Sequence, residues 1–304
     1  SIELEPNAEW VEENEQIRDK NTQLDCETLN GDALFFSLER NTKHWNTELE
    51  YQHYSPHYQT PLGFVTQNSV RFLEFFHGYQ HFFDKDDFVK QLGLFAGSEI
   101  NYNYDNFRKL LDFGTAMFFQ LSGNIRSEIS YNYTVNEEFE GFDAKDMSEY
   151  SAFVSYSPSE AVRLGVFTEF GESIRYDSDN PAIGNSFFIG TFNNFQITPK
   201  LRFSPSFRYS QLKNKVDQSL YFSGFIARTT LNYQFNTNLS FRVIGEFNDF
   251  DQAFFFQPLL KWNPNPFTIF YIGGTNGYSR VEAKNRYGIE NSQLYLKFQY
   301  LFDW

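Results

Sequence analysis

The stretch LRFSPSFRYSQ, residues 201–211, carries the pattern that decides the fold. Its apolar residues, such as Leu201, Phe203 and Phe207, alternate with polar ones, such as Arg202 and Arg208. A period of two residues places successive side chains on opposite faces of an extended chain. The stretch therefore predicts a β-strand with one apolar face and one polar face.

The same pattern recurs from about Asp32 onward, in segments of about ten residues separated by turns. Short connections (84–87, 122–124, 157–160, 198–200, 236–238, 263–266) alternate with longer or more polar ones (134–148, 174–185, 211–219, 248–252, 277–291). Such alternation is typical of an antiparallel up-and-down barrel in a bacterial outer membrane. We therefore predict an all-β transmembrane β-barrel of about 14–16 strands over residues 32–304, with residues 1–31 as an acidic loop or lead-in.

The strand count has a consequence for the start of the barrel. Counting back from the C-terminus gives about fifteen strands, whereas bacterial single-chain barrels have an even number. We therefore expect either a further strand upstream of Ser1 or an error of one in the count.

The composition excludes two classes of protein. The 304 residues include 38 Phe and 19 Tyr, yet the mean hydropathy is -0.52, and no stretch approaches the 18 apolar residues of a membrane-spanning helix. A net charge of -14 argues against a nucleic-acid partner, because phosphate recognition needs clustered Lys and Arg. The single cysteine, Cys26, cannot form an internal disulfide.

The polar side of the predicted strands is rich in Ser, Thr, Asn, Gln and Gly, as the lumen of a barrel would be. Its charged residues should point inward, because Arg or Lys facing lipid at the bilayer midplane costs about 2–4 kcal/mol. By alternation, the inward-pointing charges are Arg126, Glu128, Arg163, Glu169, Arg202, Arg208, Arg228, Arg242, Glu246, Lys261 and Lys297. They predict either a polar conduit for anionic or hydroxyl-rich solutes, or a ladder of Arg–Glu pairs that fills the barrel.

The segment NSQLYLKFQYLFDW, residues 291–304, has the pattern of a last strand. Its alternation places Phe298, Tyr300, Phe302 and Trp304 on one face. An aromatic C-terminus resembles the sequence by which bacterial assembly machinery recognises outer-membrane barrels. We therefore expect location in the bacterial outer membrane, with lipid and the barrel assembly machinery as partners.

Catalytic chemistry is not expected. All histidines lie early in the chain, at His44, His53, His57, His77 and His81, so later strands offer no histidine as a general base. No serine stands in a G-x-S-x-G context. We predict no catalytic residue and no cofactor.

One loop contains a calcium candidate. Asp177 and Asp179 lie in YDSDNPAIGN, residues 176–185, and calcium takes several oxygen ligands from such loops. Solvated turn residues that cap local backbone are the alternative explanation. No other metal site is expected.

Several segments carry a resemblance to a family of large barrels from Bacteroidetes. In HWNTELEYQHYSPHYQTPLGFVTQNSVR, residues 44–71, the positions of a recurring motif are held by Gly63, Phe64, Val65 and Arg71. The segments that resemble the family's last hairpins and final strand are 231–250, 257–274 and 291–302.

The family is a C-terminal outer-membrane β-barrel domain of unknown function that usually follows a carbohydrate-binding-like module. The resemblance implies a link to glycans and supplies no catalytic residue. The leading prediction is thus a porin-like channel or transporter for glycans or other polar solutes. The alternatives are a structural or assembly barrel that anchors lipoprotein or periplasmic partners, and a membrane-embedded hydrolase.

Overall fold

The computed structural model describes residues 31–58, 68–281 and 286–302. The described elements are strands, and they are β1 Ala33–Asn41, β2 Trp45–Tyr54, β3 Val70–Phe82, β4 Val89–Asn103, β5 Arg108–Leu121, β6 Ile125–Phe139, β7 Phe142–Ser159, β8 Val162–Arg175, β9 Ala182–Thr198, β10 Leu201–Asn214, β11 Leu220–Gln234, β12 Leu239–Asn248, β13 Ala253–Asn265, β14 Thr268–Val281 and β15 Arg286–Tyr300. Within the described residues, no helix has the length and apolar character to cross a membrane.

All strands belong to one sheet, in which each strand pairs with its neighbours in the chain. The sheet has 15 strands in the order β1 to β15, and every described pair is antiparallel. This is the up-and-down connectivity of a barrel, and it confirms the predicted all-β antiparallel architecture. The strand number also agrees with the predicted count of about 14–16.

The connections lie alternately at the two edges of the sheet. Turns such as 122–124, 160–161 and 199–200 join odd strands to even ones at one edge, which we call the short-turn edge. Even strands are joined to odd ones at the opposite edge, where connections such as 55–69 and 176–181 lie. The predicted difference in length does not hold at every position, because the connection after β3 has six residues, 83–88, whereas the connection after β12 has four, 249–252.

The predicted connection at 134–148 is wrong. Strands β6 and β7 continue through this region and are joined only by Glu140 and Gly141, between the paired residues Phe139 and Phe142. Glu140 and Gly141 have φ values of 48° and 81°, which is the backbone that a two-residue hairpin turn requires. The acidic composition of the segment indicated a loop, whereas the Gly-containing turn between two Phe residues decides the structure.

The cross-strand registers sort the side chains into two faces. Phe203 pairs with Leu231, which pairs with Val243, and this row lies on what we call the apolar face. One residue away, Arg202 pairs with Asn232, which pairs with Arg242, on what we call the polar face. Because directly paired residues point to the same side of a sheet, the two faces can be followed from strand to strand.

Large apolar side chains on the apolar face are solvent-exposed. Leu294 and Leu296 in β15 are 78% and 75% exposed, and Leu73, Ile129 and Val166 on central strands are also exposed. Of the six buried hydrophobic residues among those described, Ala144, Met147 and Ile174 form one small cluster, near the start of β7 and the end of β8, opposite the short-turn edge. The apolar surface of this sheet is therefore not covered by other described parts of the chain.

Aromatic rings lie close over glycines on the polar face. A Cβ atom added at Gly190 would lie 2.5 Å from the ring of its cross-strand partner Phe167. The ring of Phe192 likewise lies over its cross-strand partner Gly165. A ring lying over a glycine covers the backbone where no side chain does. Aromatic residues thus occupy the polar face while lying close to the sheet.

The two edge strands are β1 and β15, and among the described residues no ladder joins them. Neighbouring strands are antiparallel and the sheet has 15 of them, so β1 and β15 run in the same direction. Residues 1–30, which make up nearly all of the predicted lead-in, lie outside the described residues.

Substituting Gly171 should destabilise the sheet more than substituting Gly245. Gly171 has a φ of 151°, and a Cβ atom added there would lie 2.7 Å from the Cα atom of Glu149. We expect Gly171→Ala to lower the free energy of unfolding by about 1–3 kcal/mol. At Gly245 the nearest atom would be Thr229 Cγ2 at 3.9 Å, so Gly245→Ala is a matched control with little effect. Urea unfolding of both variants in detergent measures the difference, and equal losses would contradict the strain at Gly171.

Candidate functional site: the polar face of the sheet

The charged residues that were predicted to point inward lie together on the polar face. The strand registers and the alternation of side chains place Arg202, Arg242 and Lys261, on β10, β12 and β13, on the same face. The pairing through β14 adds Lys297 of β15 to this face. The same sorting includes the remaining predicted residues, which are Arg126, Glu128, Arg163, Glu169, Arg208, Arg228 and Glu246. That this face lines the lumen of a closed barrel stays a prediction.

The polar face of the first strands is acidic. Glu50, Glu74, Glu99 and Asp112 are successive direct partners across β2 to β5. Glu39 and Glu48 form a further carboxylate pair between β1 and β2. Like charges directly opposite each other destabilise a sheet. These residues are far apart in the sequence and become one row only through the strand registers, so the row cannot be predicted from local pattern.

The polar face of the last strands is basic. At the cross-paired positions of β10 to β15, Glu246 is the one carboxylate among the described residues. The cations at these positions include Arg202, Arg208, Arg228, Arg242, Lys261 and Lys297. The strands between, β6 to β9, carry both signs, as at Arg126 and Glu128. The charge on the polar face is therefore separated along the sheet.

The predicted ladder of Arg–Glu pairs does not form in the described part of the chain. Of the charges predicted to point inward, Arg228 and Glu246 make an ion pair, with 2.8 Å between Nη1 and Oε2. The other described ion pairs, such as Lys109 with Glu138, join different residues. Most of these charges therefore have no opposite charge within 4.0 Å, which agrees better with a hydrated face than with a packed one.

Two clefts on the polar face differ in the sign of their charge. The first, of about 560 Å³, is lined by Lys200, Arg202, Arg242 and Lys261, and its lining includes no carboxylate. The second, of about 440 Å³, has mainly acidic charges, and its acidic lining residues are Asp112, Glu137, Glu138, Glu149 and Glu172. We call them the basic cleft and the acidic cleft.

The acidic cleft is bordered by Tyr176, which directly follows β8. Its hydroxyl donates a hydrogen bond to Glu137 Oε1, over 2.9 Å. Partial loss of water around the phenol, together with this hydrogen bond, raises the pKa of Tyr176 to about 12, although the residue is still 60% exposed. The phenol therefore stays protonated at neutral pH and remains a hydrogen-bond donor at the rim of the cleft.

The calcium candidates are partly satisfied by protein groups. A carboxylate oxygen of Asp177 pairs with Arg175, and the other accepts the backbone N–H of Asp179 over 3.2 Å. Within the described ranges, no group of three or more His, Cys, Asp or Glu side chains is arranged to hold a metal ion. A calcium site at Asp177 and Asp179 stays a prediction, and the Arg175 guanidinium already compensates part of the negative charge.

His44, His53, His77 and His81 have local hydrogen-bond partners. His53 Nε2 lies 2.6 Å from Asp32 Oδ2 and 2.7 Å from the Tyr104 hydroxyl, at the edge opposite the short turns. His77 Nδ1 lies 2.8 Å from Thr47 Oγ1. These contacts give each ring a structural role, and the absence of catalytic residues stays a prediction.

The aromatic residues at the end of β15 share the apolar face. Phe298 pairs with Phe270 at a ring distance of 5.0 Å, and Tyr300 contacts the ring of Phe302 at 4.8 Å. Trp304, the last residue of the predicted assembly sequence, lies outside the described residues. Outside them as well are Gly63, Phe64 and Val65 of the motif at 44–71.

Comparisons with known proteins add little to this description. No family model matches the chain, and no curated protein matches it. Among solved structures, the chain is similar to a "CymD monoaromatic hydrocarbon channel", with 6% sequence identity over 82% of this chain and 81% of that chain, at a TM-score of 0.27. A TM-score this low says nothing about the function of this chain.

The acidic row and the Arg228–Glu246 pair predict opposite effects of neutralisation. Glu99→Gln removes repulsion from its partners Glu74 and Asp112, so the free energy of unfolding should rise by about 0.2–1 kcal/mol. Glu246→Gln leaves Arg228 without its carboxylate and should lower the same quantity by a similar amount, about 0.2–1 kcal/mol. Urea unfolding at low salt measures both. A loss of stability in Glu99→Gln would contradict the assigned register.

Proposed function

We propose that this chain is a bacterial outer-membrane β-barrel that forms a porin-like channel for polar solutes. The observation that carries the proposal is the sorting of one antiparallel sheet into an exposed apolar face and a charged polar face. In a closed barrel, the first face contacts lipid and the second lines a water-filled interior.

The apolar face supports contact with lipid. Exposed Leu, Ile, Val and Phe side chains continue from β1 to β15, as at Leu34, Ile129, Val166 and Leu294. A soluble monomer rarely exposes a continuous apolar patch larger than a few hundred Å². The strands have 9 to 18 residues, and a tilted membrane-spanning strand needs about 9–11.

Aromatic residues near the short-turn edge support a membrane interface there. Trp45 begins β2, and its ring lies 4.6 Å from that of Tyr79 on the neighbouring strand. Trp262, near the end of β13, stacks with Phe270 at 5.2 Å. Trp and Tyr are enriched where lipid headgroups meet water, because their rings have one apolar and one polar part.

The polar face supports a conduit rather than a packed interior. Its charges are mostly not paired with one another, so they need water or solute to be solvated. The aromatic rings on this face, such as Phe167 over Gly190, lie close to the sheet. Glycans are the solute class that the sequence resemblance implies, and the glycan link rests on that resemblance alone.

Conductance in planar bilayers tests the channel. The purified chain, refolded in detergent and added to one side, should produce stepwise increases of current in KCl. Steps should vanish for protein that was heat-denatured before addition, which is the control. Absence of steps from folded protein would contradict the channel and support the assembly-barrel alternative, in which the interior does not conduct.

Membrane fractionation tests the location separately. Expressed in a Gram-negative host with a secretion signal, the chain should appear in the outer-membrane fraction and need detergent for extraction. High-salt or alkaline washing should leave it in the membrane, because the apolar face rather than charge holds it there. A folded protein that remains soluble without detergent would contradict the barrel itself.

A further inference from the structure

The basic cleft lies on the polar face near the short-turn edge. It is bounded by β9 to β14, and the turn residue Lys200 stands at its rim. Its volume of about 560 Å³ lies within the range of about 300–1,000 Å³ that is usual for small-molecule sites. The cleft is thus large enough for a small organic solute.

Register brings three cations to this cleft. Arg202 and Arg242 are both direct partners of Asn232, one on each side, so their Cα atoms lie about 10 Å apart across β11. Lys261 is the direct partner of Ser240, two residues from Arg242 on the same face. Long side chains at this spacing can reach one ligand from two or three sides.

The cations that line the basic cleft do not use all of their N–H donors in hydrogen bonds within the protein. Arg202 Nε donates to Gln196 Oε1 over 3.0 Å, and Lys200 Nζ donates to the Phe235 carbonyl over 3.0 Å. Arg242 Nε is buried, and among the described residues it has no hydrogen-bond partner. A buried donor without an acceptor costs about 1–3 kcal/mol, and the guanidinium group bears a charge in addition.

The charges around Arg242 do not compensate this cost. The lining of the basic cleft includes no Asp or Glu, whereas Arg228, on the neighbouring strand, pairs with Glu246. The fork of an arginine matches the oxygens of a carboxylate or a phosphate. An oxyanion in the cleft would supply the negative charge that the surroundings of the Arg242 guanidinium group lack.

We propose that the basic cleft is a binding site for the oxyanion group, phosphate or carboxylate, of a small organic solute. Arg242, Arg202 and Lys261 bind the oxygens, and Asn232 adds an amide donor between the two arginines. Leu259 and Tyr271, which also line the cleft, contact the organic part of the solute. The site deepens the proposed channel by naming a solute class, and it rests on that function only for the route by which the solute arrives.

Titration of inorganic phosphate tests the site. Isothermal titration calorimetry on the folded full chain in detergent, at constant ionic strength with chloride as the exchanged anion, should show saturable binding. Arg242→Gln and Lys261→Gln should each raise the dissociation constant for phosphate by about tenfold or more, which is the effect of losing a charge-assisted hydrogen bond. Arg242→Lys, which keeps the charge without the fork, should recover only part of the affinity.

Arg208→Gln is the matched control. Arg208 lies on the same strand and the same face as Arg202, but it does not line the cleft. This variant removes the same charge as Arg242→Gln, but outside the cleft. Because salt screens distant charges, it should change phosphate affinity by less than about twofold. Folding of each variant is verified by its shift between heated and unheated samples on electrophoresis.

Three results would overturn the site. They are no saturable binding by the unchanged chain, unchanged affinity in folded Arg242→Gln and Lys261→Gln, and equal loss in Arg208→Gln, which would indicate a diffuse potential rather than a cleft. The proposed channel fails by a different readout, the absence of conductance in KCl. Phosphate binding in detergent does not depend on conductance, so the two failures are distinguishable.

Discussion

The ladder of backbone hydrogen bonds between neighbouring strands is the constraint on which the rest of this structure depends. Every described strand pairs antiparallel with its neighbours in the chain. The register of each pair therefore decides which side chains of one strand share a face with those of the next strand. A shift by one residue would move Arg202, Arg228 and Arg242 to the apolar face and Phe203 to the polar one. Because few described side chains are buried, the ladder rather than a central core holds the fold.

The same ladder determines how charge is distributed over the polar face. Residues far apart in sequence, such as Glu50 and Asp112, become members of one acidic row, and Arg202 and Arg242 become neighbours of one asparagine. In a closed barrel, the acidic strands and the basic strands occupy different sectors of the wall. A charged or dipolar solute inside would then experience a field across the conduit as well as along it.

The strand architecture could be predicted from the sequence because period-two alternation is a local property. Leu201 to Gln211 shows it without knowledge of any partner strand. The hairpin at Glu140 and Gly141 was not predicted, because the many acidic residues around it are typical of a loop, whereas the turn geometry decides the structure. The acidic row and the basic cleft could not be predicted, since they depend on registers, and a register is set jointly by two strands and their turn. The unpaired state of Arg242 likewise becomes visible only in three dimensions.

The odd number of described strands has a consequence for any pairing between the two edge strands. Since β1 and β15 run in the same direction, hydrogen bonds made directly between them would be the evenly spaced, slanted bonds of a parallel pair. β1 has 9 residues and β15 has 15, so such a seam would leave backbone groups of β15 without a partner in β1. The seam would then be the weakest junction of the wall. An edge with unpaired backbone groups is also a place where a further strand can add to the sheet.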